Sequence, residues 1–295
     1  MSKSFILIVF ISVLVPNISY CQNEEIQMAT FSSRLSNPLK IEVSESERGT
    51  VVFRVRNDSW LTFHIELKFS RLENLSPATN SYKDVVAPGT KTFFSLKILD
   101  PKALHNYSYS YKYGIGDPGK TADENFQYMF PLANGKKIKL FEIKNSSGKI
   151  FITNRFQLEN GDTVFCMRKG IVTATMDNSN EVDRINQTSS VEVLHADGTI
   201  AVYSVSGNKK ILVVPGQIVY PLEALSVIEN PGNVSVSLYK LVDNNMLKSF
   251  HFKYEGDSDN GDIINNSIVN HLSSNIEKEL TKKEEKRLAK GKLYN

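Results

Sequence analysis

The side chains able to do chemistry in this chain are few: five histidines and two cysteines among 295 residues. A metal centre needs several imidazole, thiolate or carboxylate groups at matched spacing. His64 falls in the middle of WLTFHIELKF and His105 beside a turn, and neither has a Cys or second His at ligand spacing. His251 alternates with Phe250 and Phe252 and reads as a surface or edge-strand residue. His195, Asp197, Asp177 and Asp183 are the candidates for an unconventional ligand set, although their spacing follows no known zinc pattern. Cys166 lies in the apolar run Val164 to Met167 with nothing nearby to lower its pKa. It reads as a small buried hydrophobe and not as a nucleophile.

The elements that must position these residues are strands. The composition is rich in Asn, Ser, Val, Ile, Phe and Tyr, which favours strands and turns. From residue 22 to 118, short alternating runs are punctuated by turn signals such as Pro88-Gly89, the pattern of an immunoglobulin-like sandwich. Tyr107, Tyr109, Tyr111 and Tyr113 share one strand face; stacking on sugar rings is the sharper reading, a half-buried sheet face the plainer one. Gly116-Asp117-Pro118-Gly119 sets a domain boundary, and alternation resumes from Tyr128 to Tyr254. Within it, Gly161 to Tyr203 organises the domain, with Asp197-Gly198 predicting a two-residue hairpin. Residues 255–295 read as a Gly/Asp/Ser linker and a charged tail. There Ser274 with Glu277 and Thr281 with Glu284 fit capping boxes, and Gly291 is a helix stop with a solvated face expected.

The first 21 residues read as a secretory signal: Lys3, then the apolar run Phe5 to Val15, then cleavage after Cys21. Lipidation of Cys21 is the alternative, with bulky Tyr20 against it. No later stretch is long enough to span a bilayer. The formal net charge of +3 does not point to nucleic acid. Asn-x-Ser/Thr triplets at Asn57, Asn106, Asn145, Asn186, Asn233 and Asn265 are what an Asn-rich chain produces by chance.

Five segments in order carry a resemblance. YMFPLANGKK is similar to an opening strand of the Tyr-x-Leu-Pro-Phe type. GDTVFCMRKGIV is similar to a Gly-Thr-x-Val-x-Ala-x-x-x-Gly-x-Val hairpin, and VEVLHADGTIAVYSVSG to a hairpin ending in Tyr-x-His-Leu. VVPGQIVYPLEALSVIENPG is similar to Val-x-x-Gly-Gln-x-Val-x-x-Gly, and VSVSLYKL to His-Leu-His-Phe-Glu-Val. Together they resemble the lysostaphin/LytM-type zinc metallopeptidases that cut peptidoglycan. The resemblance implies a mainly β protein: an immunoglobulin-like sandwich at 22–118, a LytM-like antiparallel two-sheet domain at 119–254, and a short C-terminal helix.

It also implies where zinc chemistry would reside. The family holds zinc with a His, an Asp and the second His of His-x-His, and the open position takes the water that zinc activates. Here Arg155-Phe156 stands where the Asp is expected, and no His occurs from Asn145 to Asn154. Val205 replaces the Tyr-x-His-Leu histidine, and Ser235 and Ser237 replace the His-x-His pair. His195 belongs to a turn and not to the mechanism. The expectation is therefore a degenerate groove at Arg155, Val205, Ser235 and Ser237, with no catalytic residue, metal or cofactor.

The resemblance further implies a bacterial protein secreted across the inner membrane to the periplasm or cell envelope. Its partners would be peptidoglycan peptides or a cell-wall hydrolase. An active zinc metalloendopeptidase with non-standard ligands and a structural or adhesive envelope module are the alternatives.

Overall fold

A computed structural model describes residues 37–46, 49–144, 150–176, 188–207, 209–242, 246–256 and 266–294. The expected signal segment, Asp177 and Asp183 lie outside the described residues. The described chain is mainly antiparallel β, ending in two short helices.

The first strands are β1 (Leu39–Ser46), β2 (Thr50–Asn57), β3 (Phe63–Glu73), β4 (Leu75–Ser76), β5 (Ser81–Val86), β6 (Gly89–Ile98) and β7 (Asn106–Ile115). They form a four-stranded sheet ordered β1-β2-β6-β4 and a three-stranded sheet ordered β5-β3-β7. Alternation decides which side chains go inside: Val51, Phe53 and Val55 of β2 meet Phe63, Ile65 and Leu67 of β3 in one cluster. Burying an apolar side chain of this size contributes about 1.5–3 kcal/mol each. The tyrosines of β7 divide: Tyr107 and Tyr109 are half-buried, edge-on against Phe53, whereas Tyr111 and Tyr113 are exposed, with Tyr113 edge-on to Phe63.

The second group comprises β8 (Gln127–Tyr128), β9 (Leu140–Lys144), β10 (Ile150–Leu158), β11 (Thr163–Phe165), β12 (Gly170–Met176), β13 (Thr188–Leu194) and β14 (Ile200–Ser206). It continues with β15 (Lys209–Ile211), β16 (Ile218–Val219), β17 (Ala224–Ile228), β18 (Gly232–Val242), β19 (Met246–Ser249) and β20 (Lys253–Tyr254). An eight-stranded sheet runs β16-β12-β13-β14-β18-β10-β9, with β19 added beside β18. A three-stranded sheet, β11-β17-β15, packs over it, and β8 pairs with β20 in parallel. Phe156, Val205, Val234, Tyr203 and Val236 line the core between them.

The other face of the large sheet meets the sandwich. Ile200, Val202 and Tyr239 belong to the sandwich's own apolar cluster. The Gly216 backbone (φ +90°) lies against the Trp60 indole.

The β13–β14 connection corrects the expected two-residue hairpin. Leu194 pairs with Ile200, and the His195 amide donates to the Thr199 carbonyl at 2.9 Å, so three residues form the loop. Gly198 takes φ +87°, and Thr199 donates through backbone and hydroxyl to the Asp197 carboxylate at 3.0 and 2.7 Å. The Asp side chain closes the longer turn.

In the tail, α1 (Ser273–Glu277) has Leu272 at its N-cap without a side-chain cap bond, so the Ser274 capping box does not form. Ser274 is already inside the helix. The Thr281–Glu284 box does form, opening α2 (Lys282–Leu288), and Gly291 follows with φ +65°.

Gly232 is where β18 comes closest to β14, and a Cβ there would collide with the Ser206 carbonyl. Gly232→Ala is expected to destabilise the protein by about 1–3 kcal/mol, read as a lower urea midpoint. An unchanged midpoint would contradict this close approach.

Candidate functional site

Antiparallel register places cross-strand partners on the same face. Arg155 on β10 pairs with Ser235 on β18, Ser235 with Ser204 on β14, and Ser204 with Ser190 on β13. The neighbouring row on this face is Gln157, Asn233, Ser206 and Thr188. Two rows of guanidinium, amide and hydroxyl groups therefore run across four strands. Arg155 and Gln157 are exposed and Ser204, Ser206, Asn233 and Ser235 partly so. The Asn233 amide donates to the Ser206 hydroxyl at 3.2 Å, tying β18 to β14. A cavity of about 450 Å³ lined by Lys139, Gln157, Glu159, Gly232 and Asn233 opens at one end. At the other end the sandwich covers Tyr239, Ile200 and Val202.

The four expected groove positions do not all meet. Arg155, Ser235 and Ser237 share this polar face, and Ser237 pairs with Val202. Val205 does not belong with them. It pairs with Val234, which pairs with Phe156, and all three are buried on the opposite face. With a side-chain period of two, an offset of one residue sends a side chain to the other face. A zinc ion does not fit the donors gathered here. The two rows present a fixed cation and neutral amides and hydroxyls, which are poor zinc ligands.

Of the alternative ligand set, His195 and Asp197 are engaged by other groups, and Asp177 and Asp183 lie outside the described residues. His195 Nδ1 lies 2.9 Å from the Lys169 carbonyl, and its Nε2 is buried without a hydrogen-bond partner. Burial and then the Arg168 charge push the imidazole down to about 4, leaving it neutral at pH 7. Asp197 is occupied by Arg168 at 2.8 Å. Cys166 is fully buried, its thiol donating to the Arg168 carbonyl at 3.0 Å, and burial pushes it up to about 12. It is inert, as a core cysteine should be. His64 Nδ1 lies 3.2 Å from the Gly116 carbonyl, His105 is 3.5 Å from Glu45, and His251 is exposed.

A second cluster, unforeseen in the sequence, surrounds Arg168 in the β11–β12 turn. The guanidinium is only 3% exposed, with the Phe126 ring centroid 3.8 Å from its central carbon. Nη1 donates to Asp197 at 2.8 Å and to the Tyr128 hydroxyl at 3.1 Å. Nε and Nη2 donate to the two Glu279 oxygens at 3.0 and 2.7 Å. Beside it, Lys169 donates to Glu284 at 2.7 Å, and so does the Tyr220 hydroxyl at 3.0 Å. The tail expected to be solvated is docked. Its anchorage continues at Glu255, whose carboxylate meets His271 Nδ1, the Leu272 amide and the Asn275 side chain, while His271 Nε2 reaches the Leu132 carbonyl at 2.8 Å. Both imidazole nitrogens thus face acceptors. The long sequence separation hides these partners: Arg168 and Glu279 are 111 positions apart.

Among the described residues no group of three or more His, Cys, Asp or Glu side chains is placed to hold a metal, and no helix is long and apolar enough to cross a membrane. No family model and no curated protein matches the chain. Solved structures do. One is named a glycyl-glycine endopeptidase lytM, from Ruminococcus gnavus, at 13% identity and TM-score 0.28, covering 43% of this chain and 56% of that one. Another is Helicobacter pylori Csd3, at 11% identity and TM-score 0.30, covering 86% of this chain and 78% of that one. The chain thus spans just over half the length of the endopeptidase it matches.

The docked tail has a pH signature. Burial raises the carboxyl pKa of Asp197 and Glu284, but Arg168 and Lys169 outweigh it, holding both down to about 2 from 3.8 and 4.5. A depressed carboxyl stabilises the fold above its unfolded pKa and loses that contribution as pH falls through its folded value. Urea midpoints are expected to fall between about pH 4.5 and 2, with Glu284→Gln lower at pH 7 and flatter over the acid range. An identical acid slope in that variant would refute the assignment.

Proposed function

We propose that this is a non-hydrolytic protein of the bacterial cell envelope that binds peptidoglycan peptides on the polar face of its large sheet. The observation that carries the reading is the double row Arg155–Ser235–Ser204 and Gln157–Asn233–Ser206, running into a 450 Å³ cavity. Amide and hydroxyl groups on a strand surface suit the backbone of an extended peptide. A guanidinium suits its carboxylates, since the fork donates to both oxygens. Among the described residues the two rows offer a guanidinium, amides and hydroxyls, which are poor zinc ligands, and this supports a reading of binding without cleavage. Export through the N-terminal signal and residence in the envelope belong to this proposal. They rest on the apolar run Phe5 to Val15 and on the ordered resemblance from Tyr128 to Tyr254.

Isothermal titration with a purified muropeptide, with and without zinc, tests it. The expected result is saturable binding that is unaffected by chelator, leaves the peptide intact, and is weakened tenfold or more by Arg155→Glu, about 1.4 kcal/mol. Stoichiometric zinc uptake with peptide cleavage would overturn it, as would affinity indifferent to Arg155→Glu.

A further inference from the structure

We propose that the Arg168–Lys169 turn is a carboxylate-binding site for acidic peptides, occupied in cis by Glu279 and Glu284 of the tail. The proposal is independent of the polar face. The site is built by the body of the domain. Asp197 and the Tyr128 hydroxyl hold one edge of the guanidinium, and Phe126 packs against it. Asp197 is itself fixed by the Thr199 amide and hydroxyl and by the Asp123 amide. None of these groups comes from the tail. The remaining edge, Nε and Nη2, is presented as a fork, and a fork takes a carboxylate through two parallel hydrogen bonds. Lys169 and the Tyr220 hydroxyl add a second place for a carboxylate oxygen.

The occupant is held through ion pairs and hydrogen bonds. Neither tail helix buries a residue. Glu279 lies in the turn between α1 and α2, and Glu284 enters through the first turn of α2. Buried contacts flank the acidic pair, at Val269 and His271 before it and Leu293 after it. Between these anchors, the segment is fastened chiefly by charge. A peptide with neighbouring carboxylates therefore competes for the same fork and ammonium. It must overcome a tethered rival whose effective concentration is on the order of millimolar. The site is thus closed to weak acids and open to ligands that supply two or more carboxylates together.

The probe is a fluorescein-labelled tetraglutamate peptide, followed by anisotropy on the full chain at low ionic strength. Glu279→Gln/Glu284→Gln is expected to bind it at least tenfold more tightly than the unsubstituted chain, and adding Lys169→Met to reverse most of the gain. Equal affinity of the unsubstituted chain and the double variant would overturn the proposal, as would a gain that survives Lys169→Met. Arg168 loses its outer partner in the double variant, so a second measurement uses the unsubstituted chain. Hydrogen exchange at Lys282–Leu288 should quicken on adding the peptide, and exchange unchanged at millimolar peptide would also overturn the proposal.

Discussion

A guanidinium buried to 3% exposure is the constraint on which much of the second domain depends. Arg168 cannot shed its charge, so its surroundings must supply matched acceptors or the fold must give way. Burial works against the charged form, but Glu279 and Asp197 more than offset it, and the pKa ends raised. Meeting this demand draws together the segment at Phe126 and Tyr128, the β13–β14 turn through Asp197, and the tail through Glu279. Removing one partner from such a cluster costs about 3–5 kcal/mol, because an unmatched charge stays behind. The three-residue loop at Ala196 to Gly198 follows from the same requirement. Asp197 must face Arg168 while also closing its own turn.

The second organising constraint is the strand period. On β10, β18 and β14, successive residues go alternately to an apolar core and to a polar surface. Phe156, Val234 and Val205 fall on one side; Arg155, Ser235 and Ser204 fall on the other. The sandwich then claims one end of the polar side, where the residues turn apolar at Val202, Ile200 and Tyr239. The position of the sandwich therefore defines how much of that face stays uncovered. No separate lid is needed.

Local pattern made the strands legible: FHIELKF of the run WLTFHIELKF opens β3, and of the tyrosine series of β7, Tyr107 and Tyr109 are half-buried. One of the two capping boxes was real, because Thr281 precedes its helix while Ser274 lies within one. What the sequence did not disclose is pairing. Whether Val205 sits beside Ser235 or behind it depends on a register that alternation alone does not determine. The partners of Arg168 and Glu255 were equally hidden, since a charged tail with helix caps reads the same whether solvated or docked. His271, a lone histidine in a polar stretch, gave no signal of its bond to Glu255 across 16 residues.

This separation of faces bears on how such a chain can keep a fold while its surface chemistry changes. Val205 fills core space, so a polar or charged side chain there would be buried among Tyr203, Val234 and Phe156 and would need a partner the core does not offer. Ser235 carries no such obligation, since it lies partly exposed on the other face of the same sheet. The polar face can therefore vary in its hydrogen-bonding groups at little cost to stability, whereas its apolar reverse cannot. A resemblance read from spacing alone mixes the two kinds of position. Only the register distinguishes a residue that fills the core from one on the polar face, and here it assigns Val205 to the first and Arg155 to the second.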